Sequence, residues 1–492
     1  MMDDINRHGR ESRMSTYDST CYETVFCGSK QQQGVALAFR RTASHCTGSM
    51  PWYVAFVAFV LMQLLLVAPV SAELTIEITQ GNDRAVRMAV APFSWDGKKI
   101  LPEDMAGTIS GDLKLSGLFD PLSRETMLSF PSKEADVYYR DWKVLGASYL
   151  LIGQVDQSGS TYTVDYQLFD ILRQRSILKG QVKGVESQLR TMSHSISDAV
   201  YQKITGISAD FSTRIMYVTA QRHSVDRTDY QLNYADADGK RARVIVRSKE
   251  PILSPAWSPD GRRIAYVSFE AGKPAIFLQE LATGKREKLT DYKGLNSSPV
   301  FSPNGKQVAL VLSKDGNPNI YVKDLASGKL SQLTRHFSID TEPDWMPDGN
   351  SLVFTSNRGG SAQVYQLDVK HSPDGSVEPV GKPRRLTFKG RFNARAKVFP
   401  DGKSLALVHK GQGAAEFNIA ILDLDTNRLR LLTSAMLEDS PSVSPGGRRL
   451  IYAAQGGENG ELGIVTADGR VKYRLPSATG DVREPVWGPS VR

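Results

Sequence analysis

One tight turn recurs along the C-terminal part of this 492-residue chain and limits the folds that are open to it. Its first copy is WSPDG, at 257–261. The altered copies are FSPNG (301–305), WMPDG (345–349), VFPDG (398–402), VSPGG (443–447) and the truncated WGP (487–489), with prolines 44, 44, 53, 45 and 44 residues apart. Proline sets φ for such a turn, and the Asp-Gly pair accepts positive φ. A turn repeated at this spacing predicts a propeller or a solenoid.

An apolar run follows each turn, as in RIAYVSF (263–269) and QVALVLS (307–313). These runs are rich in β-branched and aromatic residues and are short enough to be buried strands. A second run comes later in each repeat, such as AIFLQEL (275–281), and then a more polar one, such as KREKLT (285–290). With the segment ahead of the turn, each repeat has four strands, which indicates a propeller blade rather than a helical repeat unit.

The first and last strands of the repeat region predict how the ring closes. RIMYVTA (214–220) resembles the strands that follow the turns, but no turn precedes it. PVWGP (485–489) resembles the strand ahead of a turn, and no strand follows it. We therefore expect the C-terminal strand to join the first blade beside 214–220. This pairing gives six blades and removes a free sheet edge.

The first 72 residues are interpreted as an extension followed by a signal peptide. A polar stretch, 1–49, holds all three cysteines of the chain. The apolar core of WYVAFVAFVLMQLLLVAPVSA (52–72) has about 16 residues, which is short for a membrane span and sufficient for a signal peptide. We expect cleavage after Ala72, with Glu73 as the new N-terminus; an uncleaved anchor is the alternative. The cleaved protein would be exported, free of cysteine, without a lipid anchor and not inserted in the membrane.

The segment after the signal peptide shows no repeat and predicts a small α/β domain. Its expected strands are ELTIEIT (73–79), VRMAVAPF (86–93), YLLIGQV (149–155) and TYTVDYQLFD (161–170). Pro102 is expected to open one helix, and Gly206 to end a second one that begins near Ser187. The expected organisation is an α+β multidomain chain with an extension and signal peptide (1–72), an N-terminal α/β domain (73–210) and a six-bladed β-propeller (211–492).

The residues show no convincing active site, metal site or cofactor site. No G-x-S-x-G elbow is present, and the histidines after residue 72 are far apart in sequence, so each is interpreted as a surface or packing residue. DADG (236–239) lacks the glutamate that closes a calcium loop and is interpreted as a hairpin turn. The net charge of +8 comes from scattered Lys and Arg residues, which argues against a nucleic-acid surface.

A binding function remains, and the channel of the propeller is the expected place for it. The innermost strand of each blade lines the channel, so the residues that lead into these strands should lie at one mouth. They include Glu342, Glu438, Asp439 and Glu484 against Arg395 and Arg483. Such mixed charge suits a peptide or a protein loop better than an anionic polymer. The alternative is a set of loops that only solvate the rim.

From the signal peptide to the terminal PVWGP, the chain resembles the TolB family, the periplasmic propellers of the Tol–Pal envelope system of Gram-negative bacteria. The resemblance covers essentially 73–492 and rests on the domain order and the six WSPDG-type repeats. It implies a non-catalytic monomer without a cofactor or metal. It also implies roles in outer-membrane integrity, envelope constriction during cell division and bacteriocin uptake.

The resemblance also implies two partners and their sites, with other envelope proteins as further candidates and no nucleic acid. The mouth is expected to bind the peptidoglycan-associated lipoprotein Pal. The mature N-terminal segment is expected to engage the inner-membrane protein TolA or to dock back onto the protein. Carried onto this chain, the Pal site falls on Asn296, Ser297, Ser298, Thr341 and Glu342, with the neighbouring Arg395, Glu438 and Asp439. The TolA segment comprises Glu73, Leu74, Thr75, Ile76, Glu77 and Ile78.

Two other classes of function remain open at this point. One is a propeller-type hydrolase or sugar-processing enzyme, whose catalytic residues would have to come together across blades. The other is a structural envelope scaffold without a specific lipoprotein ligand. The insert HSPDGSVEPVGKP (371–383), which accounts for the longest spacing between turns, would leave the expected Pal site incomplete if it reached the mouth.

Overall fold

The computed structural model describes residues 85–97, 99–225, 227–434, 438–456, 459–475 and 480–490, together with the backbone of 76–78. The expected signal peptide and the expected cleavage after Ala72 lie outside the described residues. Glu73, Leu74 and Thr75 of the expected TolA segment also lie outside them. None of the described helices is long and apolar enough to cross a membrane.

A mixed sheet with helices on both faces follows the N-terminal segment. Its strands are β2 (Val86–Val90), β3 (Ser94–Trp95), β4 (Phe119–Pro121), β5 (Tyr149–Ser158), β6 (Thr161–Asp170) and β7 (Arg175–Val185), in the order β4-β2-β5-β6-β7 with β3 paired to β5. The helices are α1 (Met105–Leu115), α2 (Tyr139–Val144) and α3 (Leu189–Thr205). Short 3-10 turns lie at Arg124–Thr126, Glu134–Asp136 and Glu186–Gln188. Helices α1 and α3 share one hydrophobic core with the sheet, and α2 packs in a separate core on the other face.

The helix ends show where the sequence patterns predicted correctly and where they did not. Helix α1 begins at Met105 rather than at Pro102, because the side chain of Asp104 caps it by accepting a 3.0 Å hydrogen bond from the backbone N–H of Gly107. Gly206 ends α3 in the left-handed conformation, with φ of 74°, as predicted.

The rest of the described chain forms six four-stranded sheets, the blades of a β-propeller, one of which gains a fifth strand. Blade 1 contains β8 (Arg214–Ser224), β9 (Arg227–Asp236), β10 (Arg243–Ser248) and β31 (Asp481–Trp487). Blade 2 contains β11 (Ile252–Trp257), β12 (Arg263–Ser268), β13 (Ala275–Glu280) and β14 (Arg286–Thr290). Blade 3 contains β15 (Asn296–Phe301), β16 (Gln307–Leu312), β17 (Asn319–Asp324) and β18 (Leu330–Gln332).

The remaining blades follow the same order from the innermost strand outwards. Blade 4 contains β19 (Asp340–Trp345), β20 (Ser351–Ser356), β21 (Gln363–His371) and β22 (Val377–Arg385). Blade 5 contains β23 (Phe392–Val398), β24 (Ser404–Lys410), β25 (Asn418–Asp423) and β26 (Leu429–Leu431). Blade 6 contains β27 (Glu438–Val443), β28 (Arg449–Gly456), β29 (Asn459–Thr466) and β30 (Val471–Leu475). The predicted six-bladed architecture is confirmed.

The ring closes through the C-terminal strand, as the repeat phase predicted. Strand β31 pairs antiparallel with β8 and is the innermost strand of blade 1. Its register places Asp481 opposite Ala220 and Trp487 opposite Ile215. The first blade is therefore built from the two ends of the propeller sequence.

The repeated turn joins the first and second strands of a blade. Side chains of the turn accept hydrogen bonds from its backbone N–H groups. In the first copy, Ser258 Oγ accepts a 2.9 Å hydrogen bond from the N–H of Arg263, and Asp260 Oδ1 accepts one of 3.0 Å from the N–H of Arg262. The glycines of the five full copies have φ of 67, 68, 71, 70 and 66°, a region that side chains rarely enter. The turns all lie at one end of the propeller, which we call the far end.

The short N-terminal strand β1 (Ile76–Ile78) pairs with the propeller and not with the α/β sheet. It lies antiparallel to β30, with Ile76 opposite Tyr473 and Ile78 opposite Val471, and it adds a fifth strand at the outer edge of blade 6. The sequence pattern predicted this strand correctly, but its short apolar run contains no signal for the strand that it pairs with.

Candidate functional site

Six innermost strands bring one residue each to the end of the channel opposite the repeated turns. These residues are Ser254, Ser298, Glu342, Arg395, Ser440 and Glu484, with φ of 48, 49, 54, 52, 52 and 49°. Together they line an open cavity of about 90 Å³, which we call the mouth. None of them is glycine, although left-handed backbone at a non-glycine residue costs roughly 1–2 kcal/mol. A strained residue that recurs in every blade marks the mouth as a place where side chains matter.

A β-bulge produces this conformation in each innermost strand. In blade 3, for example, the pairing of β15 with β16 shifts between Ser297 and Val300, so Ser298 has no direct partner across the ladder. The next residue is proline in five of the six blades and Ala396 in blade 5. Proline has no N–H to give to a ladder, so it fits the bulge and lets the preceding side chain line the channel.

Arg395 joins the mouth across four blades. Its Nε lies 3.3 Å from Glu342 Oε1 of blade 4 and 3.2 Å from Asp439 Oδ1 of blade 6. Its Nη1 donates a 2.5 Å hydrogen bond to Ser440 Oγ and lies 4.0 Å from Glu484 Oε1 of blade 1. Three carboxylates therefore surround one guanidinium, which leaves the centre of the mouth with more negative than positive charge.

Two of these carboxylates also hold the backbone of the next blade. Glu342 Oε2 accepts hydrogen bonds from the N–H of Arg395 at 3.0 Å and from Thr355 Oγ1 at 2.9 Å. Glu484 Oε2 accepts one from the N–H of Ser254. Burial raises the pKa of Glu484, although Arg395 opposes the shift. The carboxylates thus stabilise the bulges as well as exposing charge to the channel.

A second charged layer lies deeper in the channel. Lys397 Nζ is 3.6 Å from Asp344 Oδ1, and Asp344 Oδ2 accepts a 2.8 Å hydrogen bond from the N–H of Val398. Burial raises the pKa of Asp344, and Lys397 opposes the shift. This layer again joins an acid of blade 4 to blade 5.

Six of the eight residues of the expected Pal site are part of the innermost strands at the mouth and are partly exposed there. They are Ser297, Ser298, Thr341, Glu342, Arg395 and Asp439. The other two, Asn296 and Glu438, are buried, so their side chains cannot touch a partner there. Asn296 instead holds the preceding loop, because its amide accepts from the N–H of Tyr292 at 3.0 Å and donates to the C=O of Tyr292 at 2.7 Å. Burial raises the pKa of Glu438 to about 7.

The expected Pal site omitted Ser254, Ser440 and Glu484, which line the mouth as Ser298 and Glu342 do, although the sequence had placed Glu484 at the mouth. The signal that could have identified them is their place in the repeat. Each directly precedes the proline of an innermost strand, as Ser298 and Glu342 do. A comparison of the six copies at that single position would have given the complete ring except Arg395, whose blade lacks the proline.

The insert of blade 4 does not reach the mouth. It lengthens the hairpin of β21 and β22, whose turn lies at the far end because β21 runs away from the mouth. Lys329 Nζ lies 2.5 Å from Asp374 Oδ2, and Ser331 Oγ accepts a 3.0 Å hydrogen bond from the N–H of Val377. The insert therefore packs on blade 3 and leaves the mouth unchanged.

At the far end, a buried charge cluster joins the α/β region to blade 1. His194 of α3 is buried, and its Nδ1 lies 2.8 Å from Asp112 Oδ2 of α1. Its Nε2 lies 3.8 Å from Asp236 Oδ2 of β9. Burial alone would lower the pKa of His194, but the carboxylate of Asp112 outweighs it and the pKa rises to about 9. His194 therefore carries a positive charge at neutral pH.

Two arginines complete this cluster. Arg190 of α3 pairs with Asp238 and, at 2.7 Å, with Glu103, and Arg241 Nε lies 2.6 Å from Asp236 Oδ2. Burial would raise the pKa of Asp236, but His194 and Arg241 lower it to about 2. Asp112, His194 and Asp238 offer ligand atoms within 4.8 Å of one another. The guanidinium groups already supply the positive charge that a metal ion would bring.

A second buried pair lies where the segment between α3 and β8 meets blades 1 and 6. Arg449 of β28 contacts Asp210 through Nε at 3.0 Å and also through Nη2. Its guanidinium lies between the rings of Phe211, 4.8 Å away, and Trp487, 5.0 Å away. One buried cation thus connects the interdomain segment, blade 6 and the strand that closes the ring.

Comparisons with known proteins identify two family regions in the chain. Residues 74–177 match the model of the TolB amino-terminal domain, and residues 201–491 match that of the TolB beta propeller domain. The Tol-Pal system protein TolB of Pseudomonas aeruginosa is 54% identical over 412 residues, which cover 84% of this chain and 93% of that protein. The protein of the same name from Pseudomonas fluorescens is 50% identical over 417 residues, covering 85% and 94%.

A solved structure agrees with these relatives. The crystal structure of TolB from Acinetobacter baumannii has a TM-score of 0.75 and 41% sequence identity to this chain. It covers 85% of this chain and 100% of its own.

Proposed function

The chain belongs to the TolB family, and on that premise we propose that it is the non-catalytic protein-binding component of a Tol–Pal system. In this proposal it works in the periplasm and joins the inner-membrane protein TolA to the outer-membrane lipoprotein Pal. The mouth binds Pal, and the N-terminal segment from Glu73 to Ile78 binds TolA. Export with cleavage after Ala72, support of outer-membrane integrity, envelope constriction during division and bacteriocin uptake belong to the same proposal.

The convergence of six strained, non-glycine residues at the mouth is the observation that supports Pal binding most strongly. They form a concave cavity with charged and hydroxyl side chains, which can pair with the polar groups of a protein loop. Because Glu342, Asp439 and Glu484 outnumber Arg395 there, an anionic polymer would be repelled from the centre. A protein loop that carries both donors and acceptors fits better.

The placement of β1 supports an exchangeable TolA segment. Three residue pairs join β1 to β30, and β1 lies at the edge of its sheet. So short a strand contributes few ladder hydrogen bonds, and a partner that offers a sheet edge can replace them by strand addition. Docking on blade 6 and binding to TolA would then be alternative states of one segment.

The local contacts of the histidines support a non-catalytic role. His194 pairs with Asp112, His371 Nε2 lies 2.8 Å from the C=O of Gly349, and His409 Nδ1 lies 2.8 Å from Asn393 Oδ1. His223 lies 3.0 Å from Asp229, and His336 packs on Phe337. Each of the five histidines that the structure describes thus has a structural neighbour, and the side chain paired with it is not a serine or cysteine nucleophile. Panels of peptide and glycan substrates should show no turnover.

Calorimetry with purified Pal tests the proposal. Glu342→Lys should weaken binding at least tenfold, because it reverses one carboxylate of the mouth and breaks its contacts with Arg395. Ser298→Trp should do the same by filling the cavity. Glu378→Lys on exposed β22 makes the same charge change away from the mouth and should bind as the parent does. Absence of binding by the parent would overturn the proposal, and equal binding by all three variants would remove the mouth from it.

A further inference from the structure

Three consecutive blade-to-blade loops at the mouth end expose large apolar side chains. Tyr292 is 37% exposed, Phe337 83%, Ile339 48% and Phe388 62%. Each lies between the outermost strand of one blade and the innermost strand of the next, in the loops 291–295, 335–339 and 388–391. Since the innermost strands start at the mouth, these loops lie side by side along one part of its rim. We call the four residues the aromatic arc.

Asparagine side chains hold the three loops in place; Asn296 and Asn393 are buried, whereas Asn317 is exposed. Asn296 Nδ2 donates a 2.7 Å hydrogen bond to the C=O of Tyr292. Asn317 Nδ2 donates one of 2.8 Å to the C=O of Phe337, and Asn393 Nδ2 donates one of 2.8 Å to the C=O of Lys389. The apolar side chains are therefore presented on loops that are already ordered, which lowers the entropy cost of binding a partner through them.

Exposed cations accompany the arc. Lys293 follows Tyr292, Arg335 precedes Phe337 by two residues, and Lys389 and Arg391 follow Phe388. The acid in these loops, Asp291, lies 3.2 Å from Lys288. The arc therefore has a basic rim, whereas the centre of the mouth has an excess of carboxylates. A partner that covers both must be acidic at its edge and must offer donors at its centre.

The arc occupies one side of the ring. The connection before blade 2, at 249–251, is Lys-Glu-Pro, and the connections 434–437 and 476–480 read Ser-Ala-Met-Leu and Pro-Ser-Ala-Thr-Gly. These three sequences contain no aromatic residue, in contrast to the three that form the arc. The asymmetry is a property of the individual loops, because the fold repeats the same connection in every blade.

We propose that the partner docks off-centre, on the side of blades 2 to 5, through a folded protein surface whose apolar side chains are flanked by carboxylates. The apolar groups pack on the aromatic arc, the carboxylates face Lys293, Arg335, Lys389 and Arg391, and a neighbouring loop enters the mouth. This inference rests on the proposed function and adds the chemistry and position of the contact. A protein fits better than an anionic membrane, because the carboxylates of the mouth repel lipid headgroups as the two surfaces approach.

Serine substitutions in the aromatic arc test the inference by calorimetry with purified Pal. Phe337→Ser and Phe388→Ser should each weaken binding about tenfold or more, as expected for central aromatic contacts. Val225→Ser is the matched control, because Val225 is 83% exposed at the same end of blade 1, outside the arc. It should bind as the parent does. Thermal unfolding of each variant checks that the fold is intact.

A charge reversal separates the acidic from the apolar part of the contact. Lys389→Glu should weaken binding several-fold and reduce its dependence on salt, whereas Lys249→Glu, in a loop without an aromatic residue, should have less effect. If the parent binds Pal and the arc variants bind equally well, the proposed contact with the aromatic arc is wrong, while the proposed function stands. If the parent does not bind Pal, the proposed function fails, and the arc fails with it.

Vesicles of phosphatidylglycerol and phosphatidylethanolamine test the competing surface. We expect no binding of the parent to these vesicles at physiological salt. Binding to vesicles that Phe337→Ser abolishes, together with unchanged Pal binding by this variant, would assign the arc to a membrane and overturn the inference.

Discussion

At the mouth, charged side chains stay partly exposed and are shared among blades, whereas at the far end they are buried in one closed cluster and one separate pair. Arg395 reaches carboxylates of three other blades and remains open to solvent on one side. Arg449 and His194 are enclosed and each has a dominant partner, Asp210 and Asp112. A buried pair contributes to stability only as long as both members are present. A half-exposed network tolerates a change of partner, which is what a binding site requires.

The backbone shows the same contrast. At the far end, glycine occupies the left-handed position of every full turn, so the conformation costs little. At the mouth, serine, glutamate and arginine occupy it, and the strain remains. The backbone of the far end is therefore nearly free of strain, whereas the backbone of the mouth keeps strain at residues whose side chains line the channel. Four substitutions test the contrast between the two ends of the propeller.

The largest effect is expected from Arg449→Met. It removes the cation that neutralises buried Asp210 and separates Phe211 from Trp487, so the free energy of unfolding should fall by about 3–5 kcal/mol. Arg428→Met, at an exposed site, should change it by less than about 0.5 kcal/mol. Chemical denaturation measures both. A loss below about 1 kcal/mol for Arg449→Met would show that this pair does not hold the far end together.

The far end should lose stability in alkaline solution. The pKa of His194 rises from an ordinary 6.5 to about 9, so the folded state binds the proton more tightly. Its contribution is complete below pH 6.5 and disappears as the pH rises through 9, a loss of about 3 kcal/mol. His194→Gln should remove most of this pH dependence, and His223→Gln, at an exposed site, should leave it. A parent whose stability stays constant between pH 6.5 and 9 would contradict the assignment.

The mouth should lose stability in a more acidic window. Burial raises the pKa of Glu438 from 4.5 to about 7, so the folded state again holds the proton more tightly. Stability should fall by about 3 kcal/mol between pH 4.5 and 7. Glu438→Gln should flatten that window and stabilise the protein at pH 8. Glu416→Gln, on an exposed loop, serves as the control. If Glu438→Gln instead destabilises the protein at pH 8, the ionised carboxylate is stabilised by its surroundings, and the prediction is wrong.

The smallest effect is expected from Ser298→Gly, which relieves left-handed strain at the mouth. It should stabilise the protein by about 0.5–1 kcal/mol while it weakens the proposed binding of Pal. Ser297→Gly changes the neighbouring residue of the same strand, which does not have a positive φ, and should destabilise by a similar amount. Equal effects of the two glycines would show that the strain at Ser298 is negligible.

The sequence predicted the architecture because each repeat carries its own turn and strands. Pro259 and Gly261 fix a turn locally, and the unmatched 214–220 and 485–489 were enough to predict the closing pair. Local signals also placed the end of α3 at Gly206. The start of α1 was wrong by three residues, because the capping side chain of Asp104 decides it and Pro102 only permits it.

The sequence predicted where the mouth lies in the fold, but not which of the named side chains are exposed there. The repeat located the mouth, yet the burial of Asn296 and Glu438 depends on how neighbouring blades cover the first residue of each inner strand. The charge of His194 depends on Asp112, which is 82 residues earlier in the chain. The partner of β1 lies almost four hundred residues away in blade 6. Contacts of this kind arise from tertiary packing, and a single sequence without repeats at those positions contains no signal for them.

Because β31 supplies the inner strand of the first blade, the propeller can close only after the C-terminal end of the chain has been made. A chain that stops before residue 481 holds five complete blades and a sixth sheet without its inner strand, and it exposes unpaired edges at the gap. During synthesis the ring therefore stays open until the last segment has been made. Premature termination should then yield a chain whose unpaired strand edges are accessible to proteases, even when the other five blades have folded.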